Sequence, residues 1–340
     1  MARLSNFLRR QDGAGDDLPP AQRECRPVQR HEIDQALRLL LSGPGGLAGD
    51  EQVLDFLSYA MHRHVDVNGT WVATTRGRIE WALLPVVSPG KSMLLLSPTK
   101  LLTRTAVDAP AELARAICLD YARRDIELAQ LLLDPTERSV MDAYAGAGFT
   151  ELAELVYLHR AIKPHLANDS ITFGESLVLK SYSPELDEMF AEAIRASYEE
   201  SLDCPGLNGI RSIRDVMDGH RATGEFAPHL WHVLFEHDRP IAVLLLNRSI
   251  HSEAMELVYI GLAPPARGRG IADLLMRLAM SLSAQDGKTE LTLAVDSRNA
   301  PAMKLYFRHG LKRVGSRSAM IRDLRSLRAS PVDEVPPVAR

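Results

Sequence analysis

The stretch Arg267-Gly268-Arg269-Gly270-Ile271-Ala272 has the residue types that hold a phosphate. Concentrated negative charge is met best by a row of backbone N–H groups at a helix start, and these approach a ligand closely only where side chains are small. Gly268, Gly270 and Ala272 supply the small positions, and Arg267 and Arg269 add positive charge. A dinucleotide fingerprint wants a third glycine where this chain has Asp273, and a nucleotide P-loop wants a Gly-Lys-Ser/Thr that does not follow. A flexible surface loop would use the same residues, so the flanking elements must decide.

Those elements read as α+β. Strand-like runs over 230–236, 241–247 and 254–262 are joined by turns short enough for an antiparallel meander, and the third run feeds the glycine turn. A helix over 269–283 leaves it, with Ile271, Leu274, Leu275, Leu278 and Leu282 on one apolar face. A strand over 291–295 and a helix over 299–309 follow, the helix with Asn299 placed to cap it and Gly310 to end it. A last strand spans 314–321. The N-terminal segment repeats this order. Tyr144 and Tyr306, Gly148 and Gly310, and Asp134 and Asp296 are all 162 residues apart, and the hydrophobic pattern agrees, which indicates an internal duplication.

The run 262–272 resembles the acetyl-CoA signature of the GNAT superfamily of N-acetyltransferases. Asn299-x-x-Ala302-x-x-Leu305-Tyr306-x-x-x-Gly310-Leu311 is similar to its second motif, with Leu311 where Phe is usual. The resemblance covers about 176–324 and, weakly, the N-terminal half. It implies two tandem GNAT-like domains, each a mixed, mostly antiparallel sheet flanked by helices: 25–163, degenerate, and 176–325, catalytic, with a linker at 164–175. It further implies a sheet splayed after Leu262 and Val295, with the coenzyme's pantetheine in the opening and backbone contacts from Ile260, Leu262, Gly268, Arg269, Gly270, Ile271 and Ala272. The tandem layout is similar to that of the mycothiol synthases, whose activity lies in the second half.

Transfer to an amine needs a base, an oxyanion donor and a proton for the leaving thiolate. Glu256 is placed for the base by strand alternation, on the face of Val258 and Ile260; a solvated carboxylate at a strand start is the plainer alternative. The Ile260 N–H is the oxyanion donor that the resemblance implies, and Tyr306 the general acid. Tyr306 packed against Ala302 and Leu305 is the alternative. Asn299 could bond the pantetheine, cap its helix, or both.

The loop over 202–209 joins two helices where the family shapes its acceptor pocket, so Asp203, Cys204 and Asn208 could touch an acceptor or merely build turns. In the N-terminal repeat no glycine occurs from 94 to 112, so the phosphate cradle is missing, and Tyr144 is more simply a packing residue.

Composition bounds the rest. A net charge of −4 argues against a general nucleic-acid binder. Three scattered cysteines exclude a disulfide framework and suggest a reducing compartment. His229, His232 and His237 have no recognised ligand spacing, so no metal is expected. No apolar run spans a bilayer. The segments 1–24 and 326–340 read as tails, and Leu4, Phe7 and Leu8 as tail residues more than a membrane contact. The expectation is a cytoplasmic enzyme with acetyl-CoA as donor cosubstrate and a small-molecule amine as acceptor; a homodimer stays open. The alternatives are a protein N-acetyltransferase and a non-catalytic acyl-CoA sensor or scaffold.

Overall fold

The computed structural model describes residues 22–43, 46–100, 108–250 and 252–328. The tails expected at 1–24 and 326–340 lie almost wholly outside these residues, as do Leu4, Phe7 and Leu8. The N-terminal half runs β1 Glu24–Pro27, α1 Ile33–Leu40, α2 Asp50–His62, β2 Trp71–Thr75, β3 Arg78–Ser88, β4 Ser92–Leu96, α3 Ala109–Arg123, β5 Leu128–Leu133, α4 Arg138–Gly146 and β6 Thr150–Ala161. The C-terminal half repeats it: β7 Leu177–Ser181, α5 Asp187–Ser197, α6 Ile213–Ala222, β8 Glu225–Glu236, β9 Arg239–Arg248, β10 Ala254–Leu262, α7 Ile271–Gln285, β11 Glu290–Asp296, α8 Ala300–Arg308 and β12 Lys312–Asp323. The offset of 162 relates both ends of α3 to α7, of α4 to α8 and of β6 to β12. It also relates the first parallel pairings, Ser92 with Leu128 and Ala254 with Glu290. The duplication is therefore structural to the residue.

Among the described residues the strands form one sheet of 12, in the order β1-β2-β3-β4-β5-β12-β6-β11-β10-β9-β8-β7. Of the described pairings, only β4 with β5 and β10 with β11 are parallel. The last strand of each half has crossed over: β6 pairs with β11, and β12 pairs with β5. Each half thus completes the other's sheet, and neither leaves an open edge at the centre. The segment expected as a linker separates the halves along the chain but not in the sheet. It is docked: Leu166 and Phe173 pack on the C-terminal core, and Gln285 donates to the Ala167 carbonyl at 3.0 Å.

A second contact joins the halves where the β3–β4 turn meets α6. Gly90 has φ +81°, and a Cβ there would lie 1.9 Å from the Asp215 carbonyl oxygen. Only glycine fits that approach.

Each half buries a core on both faces of its sheet. In the C-terminal half, Leu257, Leu275, Met276 and Leu293 pack on the α7 side, and Phe190, Ile194, Trp231 and Val243 on the α5–α6 side. The meander uses the two-residue turn His237-Asp238, both with positive φ, the backbone twist a tight hairpin favours.

Candidate active site

The parallel pairing of β10 with β11 holds only for Ala254, Met255 and Glu256 against Glu290, Leu291 and Thr292. From Leu257 on, the inner edge of β10 has no strand partner among the described residues. The strands part into a cleft of about 550 Å³, lined by residues 257–262 of β10, Leu293 and Val295 of β11, the turn before α7, and Asn299 and Tyr306 of α8.

The turn meets this cleft with its N–H groups free. Gly268 and Gly270 have φ of +72° and +78°, which lets the chain reverse without side-chain strain. Five consecutive N–H groups, of residues 268–272, donate to nothing among the described residues, whereas Asp273 and Leu274 both donate to the Gly270 carbonyl. Unpaired donors at the start of a helix are a ready anion site.

The two arginines do something other than the sequence suggests. The Arg267 guanidinium is spent on carbonyls of Leu262 (3.1 Å), Ser197 (3.1 Å) and Glu199 (2.6 Å). It ties the C-terminal end of α5 to the turn, where a cation also suits the helix dipole. Arg269 is held by both carboxylate oxygens of Glu236, at 2.6 and 3.0 Å. Both guanidinium groups thus have protein partners, and the unpaired groups facing the cleft at the turn are backbone N–H groups. Asp273, in the first turn of α7, is matched by Arg308 and His309.

Glu256 also departs from expectation. A β-bulge between Leu257 and Tyr259 inserts Val258, so Glu256 pairs with Asn247, Tyr259 with Leu245 and Ile260 with Leu244. Alternation then puts Glu256 on the Tyr259 face and Ile260 on the opposite one. Glu256 stands half-buried at the closed end of the cleft and is not among its lining residues. Burial pushes its carboxyl above the usual range, partly offset by the charge of Arg63 on the N-terminal half.

Tyr306 is 6% exposed, yet its hydroxyl makes no hydrogen bond among the described residues. Burial, with the charge of Asp203, raises its pKa, so it stays protonated at neutral pH. Asn299 caps α8 by accepting from the Ala302 N–H at 3.3 Å and also lines the cleft. Asp203 lines the cleft too, its pKa raised above all by burial. Cys204 is a structural residue: its N–H donates to Asp296 at 3.3 Å, and burial pushes its thiol up to about 12. Asp296 is buried, which alone would raise its pKa, but hydrogen bonds from Arg298 more than compensate.

Sequence reasoning missed Tyr259, Ser197 and Gly261. The Tyr259 and Ser197 hydroxyls bond at 2.7 Å beside the cleft, and a Cβ on Gly261 would lie 2.5 Å from the Ser197 Oγ. A glycine inside a strand was the available signal. His232 faces Ser181 at 3.3 Å and is kept neutral by burial, its pKa near 4. No cluster of metal-ligand type occurs among the described residues.

The model of the acetyltransferase (GNAT) family matches residues 192–311, from within α5 to the residue after Gly310, taking in the turn, the splay and α8. These residues are a GNAT acetyltransferase domain. Mycothiol acetyltransferase of Jonesia denitrificans is 32% identical over 88 residues, 25% of this chain. The match spans little more than a quarter of that relative, 28% of its length. The GCN5-related N-acetyltransferase from Sphaerobacter thermophilus shares the fold with a TM-score of 0.56 at 15% identity, over 90% of this chain and 97% of its own. A GCN5-related glucosamine N-acetyltransferase region of a fungal multi-domain GH3 β-N-acetylglucosaminidase gives 0.58 at 16%, over 91% and 39%. Both likenesses extend beyond the GNAT domain into the N-terminal half.

Proposed function

We propose that this chain is an acetyl-CoA-dependent N-acetyltransferase that passes the acyl group directly to the primary amine of a small molecule. The observation that carries this is the run of free N–H groups at 268–272 opening onto the splayed cleft. Those donors suit the pyrophosphate, and the unpartnered edge of β10 suits the amide-rich pantetheine.

In this reading the Ile260 N–H polarises the acyl carbonyl as the amine nitrogen bonds to its carbon. Glu256 takes the amine's proton, directly or through one water. As the carbon–sulfur bond breaks, Tyr306 gives its proton to the thiolate, a role its raised pKa and unbonded hydroxyl favour. Leu262, Gly268, Arg269, Gly270, Ile271 and Ala272 would hold the coenzyme through their backbone, and Arg267 would fix the turn that does so. A small acceptor is favoured because the curated relative is named for a small molecule, mycothiol. We place the enzyme in the cytoplasm; no described helix is long and apolar enough to cross a membrane.

A panel of small amines, assayed for release of free coenzyme A, tests the reading. Silence from every amine while acetyl-CoA still binds would replace the enzyme with a coenzyme sensor.

A further inference from the structure

A second cavity, of about 230 Å³, lies between the two halves, and it belongs to no part of the coenzyme cleft. The N-terminal half lines it with Ser88 and Ser92, at the turn ends of β3 and β4, and with Gln130 of β5. The C-terminal half contributes Arg211, just before α6, and His220 near the end of that helix. No carboxylate lines it among the described residues.

The polar groups here have unspent hydrogen-bonding capacity. The side chains of Ser88, Ser92 and Gln130 make no hydrogen bond among the described residues. The Arg211 guanidinium donates once, to the Gly90 carbonyl at 3.2 Å, and forms no ion pair among the described residues. Asp215 and Glu127 are near enough to be felt but do not contact it, and burial pulls its pKa below the ordinary value. The His220 Nε2 is buried without a partner. A half-buried guanidinium left unpaired is costly, and four neighbouring groups rich in donors compound that cost.

The placement of Arg211 is built in. Gly219 sits inside α6, where glycine weakens a helix, and a Cβ there would stand 3.3 Å from the Arg211 Nη1. The glycine makes room for the guanidinium.

We propose that this inter-half cavity binds a small oxyanion, a carboxylate or a phosphate, on Arg211 with Ser88, Ser92 and Gln130. A fork of guanidinium donors beside hydroxyls and an amide is the arrangement such an anion selects. The volume is below that of a cofactor pocket, so the ligand is small. The site does not depend on the coenzyme reading. It does adjoin that cleft: the His220 ring stacks on Tyr259, centroids 5.4 Å apart, and Tyr259 lines the coenzyme opening.

The test uses full-length protein carrying Gly270→Glu, so that the coenzyme turn cannot take up the probe. Inorganic phosphate and malonate are titrated separately by calorimetry, and the rise in Tm is followed; whichever binds tells which oxyanion the site prefers. Adding Arg211→Gln should weaken binding more than about tenfold. It should also leave Tm in anion-free buffer unchanged or higher, since an unpaired buried charge is removed. A purely structural arginine would instead lower Tm. Ser92→Val, which fills the cavity without touching a charge, should weaken binding as well. Failure of both anions to bind, or equal binding in wild-type and Arg211→Gln cavities, would overturn the site.

Discussion

Tyr144 and Tyr306 occupy the same place in the two halves, and the chain uses them in opposite ways. The Tyr144 hydroxyl accepts from the Trp81 indole at 3.0 Å and bonds the Ser97 hydroxyl at 2.7 Å, with none of the residue exposed. The Tyr306 hydroxyl has no such partner and meets a cleft. The helix starts differ in the same sense. Before α7, Gly270 takes a left-handed conformation and Ala272 offers an N–H; before α3, Asp108 is right-handed and Pro110 has no N–H to offer. Both halves keep the short parallel pairing that lets a sheet part. The two halves therefore differ, at these matched positions, in how their polar groups are satisfied, with the fold held constant. The N-terminal half pairs its tyrosine hydroxyl internally and has a proline where the C-terminal half leaves its hydroxyl and an N–H open.

Closing the open half at its turn should have the largest effect. Gly270→Glu forces a side chain onto a left-handed residue and sets a carboxylate beside the free N–H groups. Like charge in such a contact costs several kcal/mol, so acetyl-CoA affinity should fall more than about 300-fold by calorimetry. The matching change in the supporting half, Asp108→Lys, should leave affinity unaltered. A large loss from Asp108→Lys would mean that the N-terminal half also holds coenzyme.

The tyrosines themselves give the next test. Tyr306→Phe should slow thiol release by roughly 100-fold, the scale of a lost general acid, with little change in acetyl-CoA affinity. Tyr144→Phe should leave turnover intact and instead cost about 1–2 kcal/mol in urea unfolding, because the Trp81 N–H loses its acceptor. Equal kinetic effects from the two would erase the distinction.

Much of this was legible in the sequence because it rests on spacing. The offset of 162, the helix-opening glycines, the Asn299 cap and the meander are local patterns, and they reappear at the expected residues. What could not be read depends on partners distant along the chain. Arg267 and Arg269 look like phosphate ligands until α5 and Glu236 are seen to occupy them. Strict alternation mis-assigned the face of Glu256 because one extra residue, Val258, leaves no mark in composition. The exchange of β6 and β12 is invisible for the same reason: both strands have ordinary patterns, and only pairing reveals that each lies in the other's half.

Glu256 sharpens the comparison further, since the supporting half has Leu94 in its place. Glu256→Gln should lower kcat/KM by roughly 100-fold at neutral pH, the low end of what a lost base costs. Its pKa is raised by burial, so the acid limb of the wild-type pH profile should fall above the ordinary carboxyl value of 4.5. The substitution should remove that limb. Stability runs the other way. A carboxyl whose folded pKa is raised stabilises the fold below its unfolded pKa and loses that contribution as pH rises through the folded value. Glu256→Gln should therefore stabilise the protein at neutral pH while disabling it, and a limb unchanged in the variant would assign the proton to another group.

The smallest expected effect falls on Asn299, whose two roles can be separated by measurement. As a cap it accepts from Ala302, and Asn299→Ala should cost about 1 kcal/mol of stability. Asn299→Asp keeps a capping oxygen but removes the amide donor. If the side chain also bonds the pantetheine, the aspartate variant should regain stability while KM for acetyl-CoA stays a fewfold high, since one neutral hydrogen bond contributes about 1 kcal/mol. Full recovery of both quantities would reduce Asn299 to the capping role that the start of α4, in the other half, does without: Glu137 stands there and makes no side-chain cap.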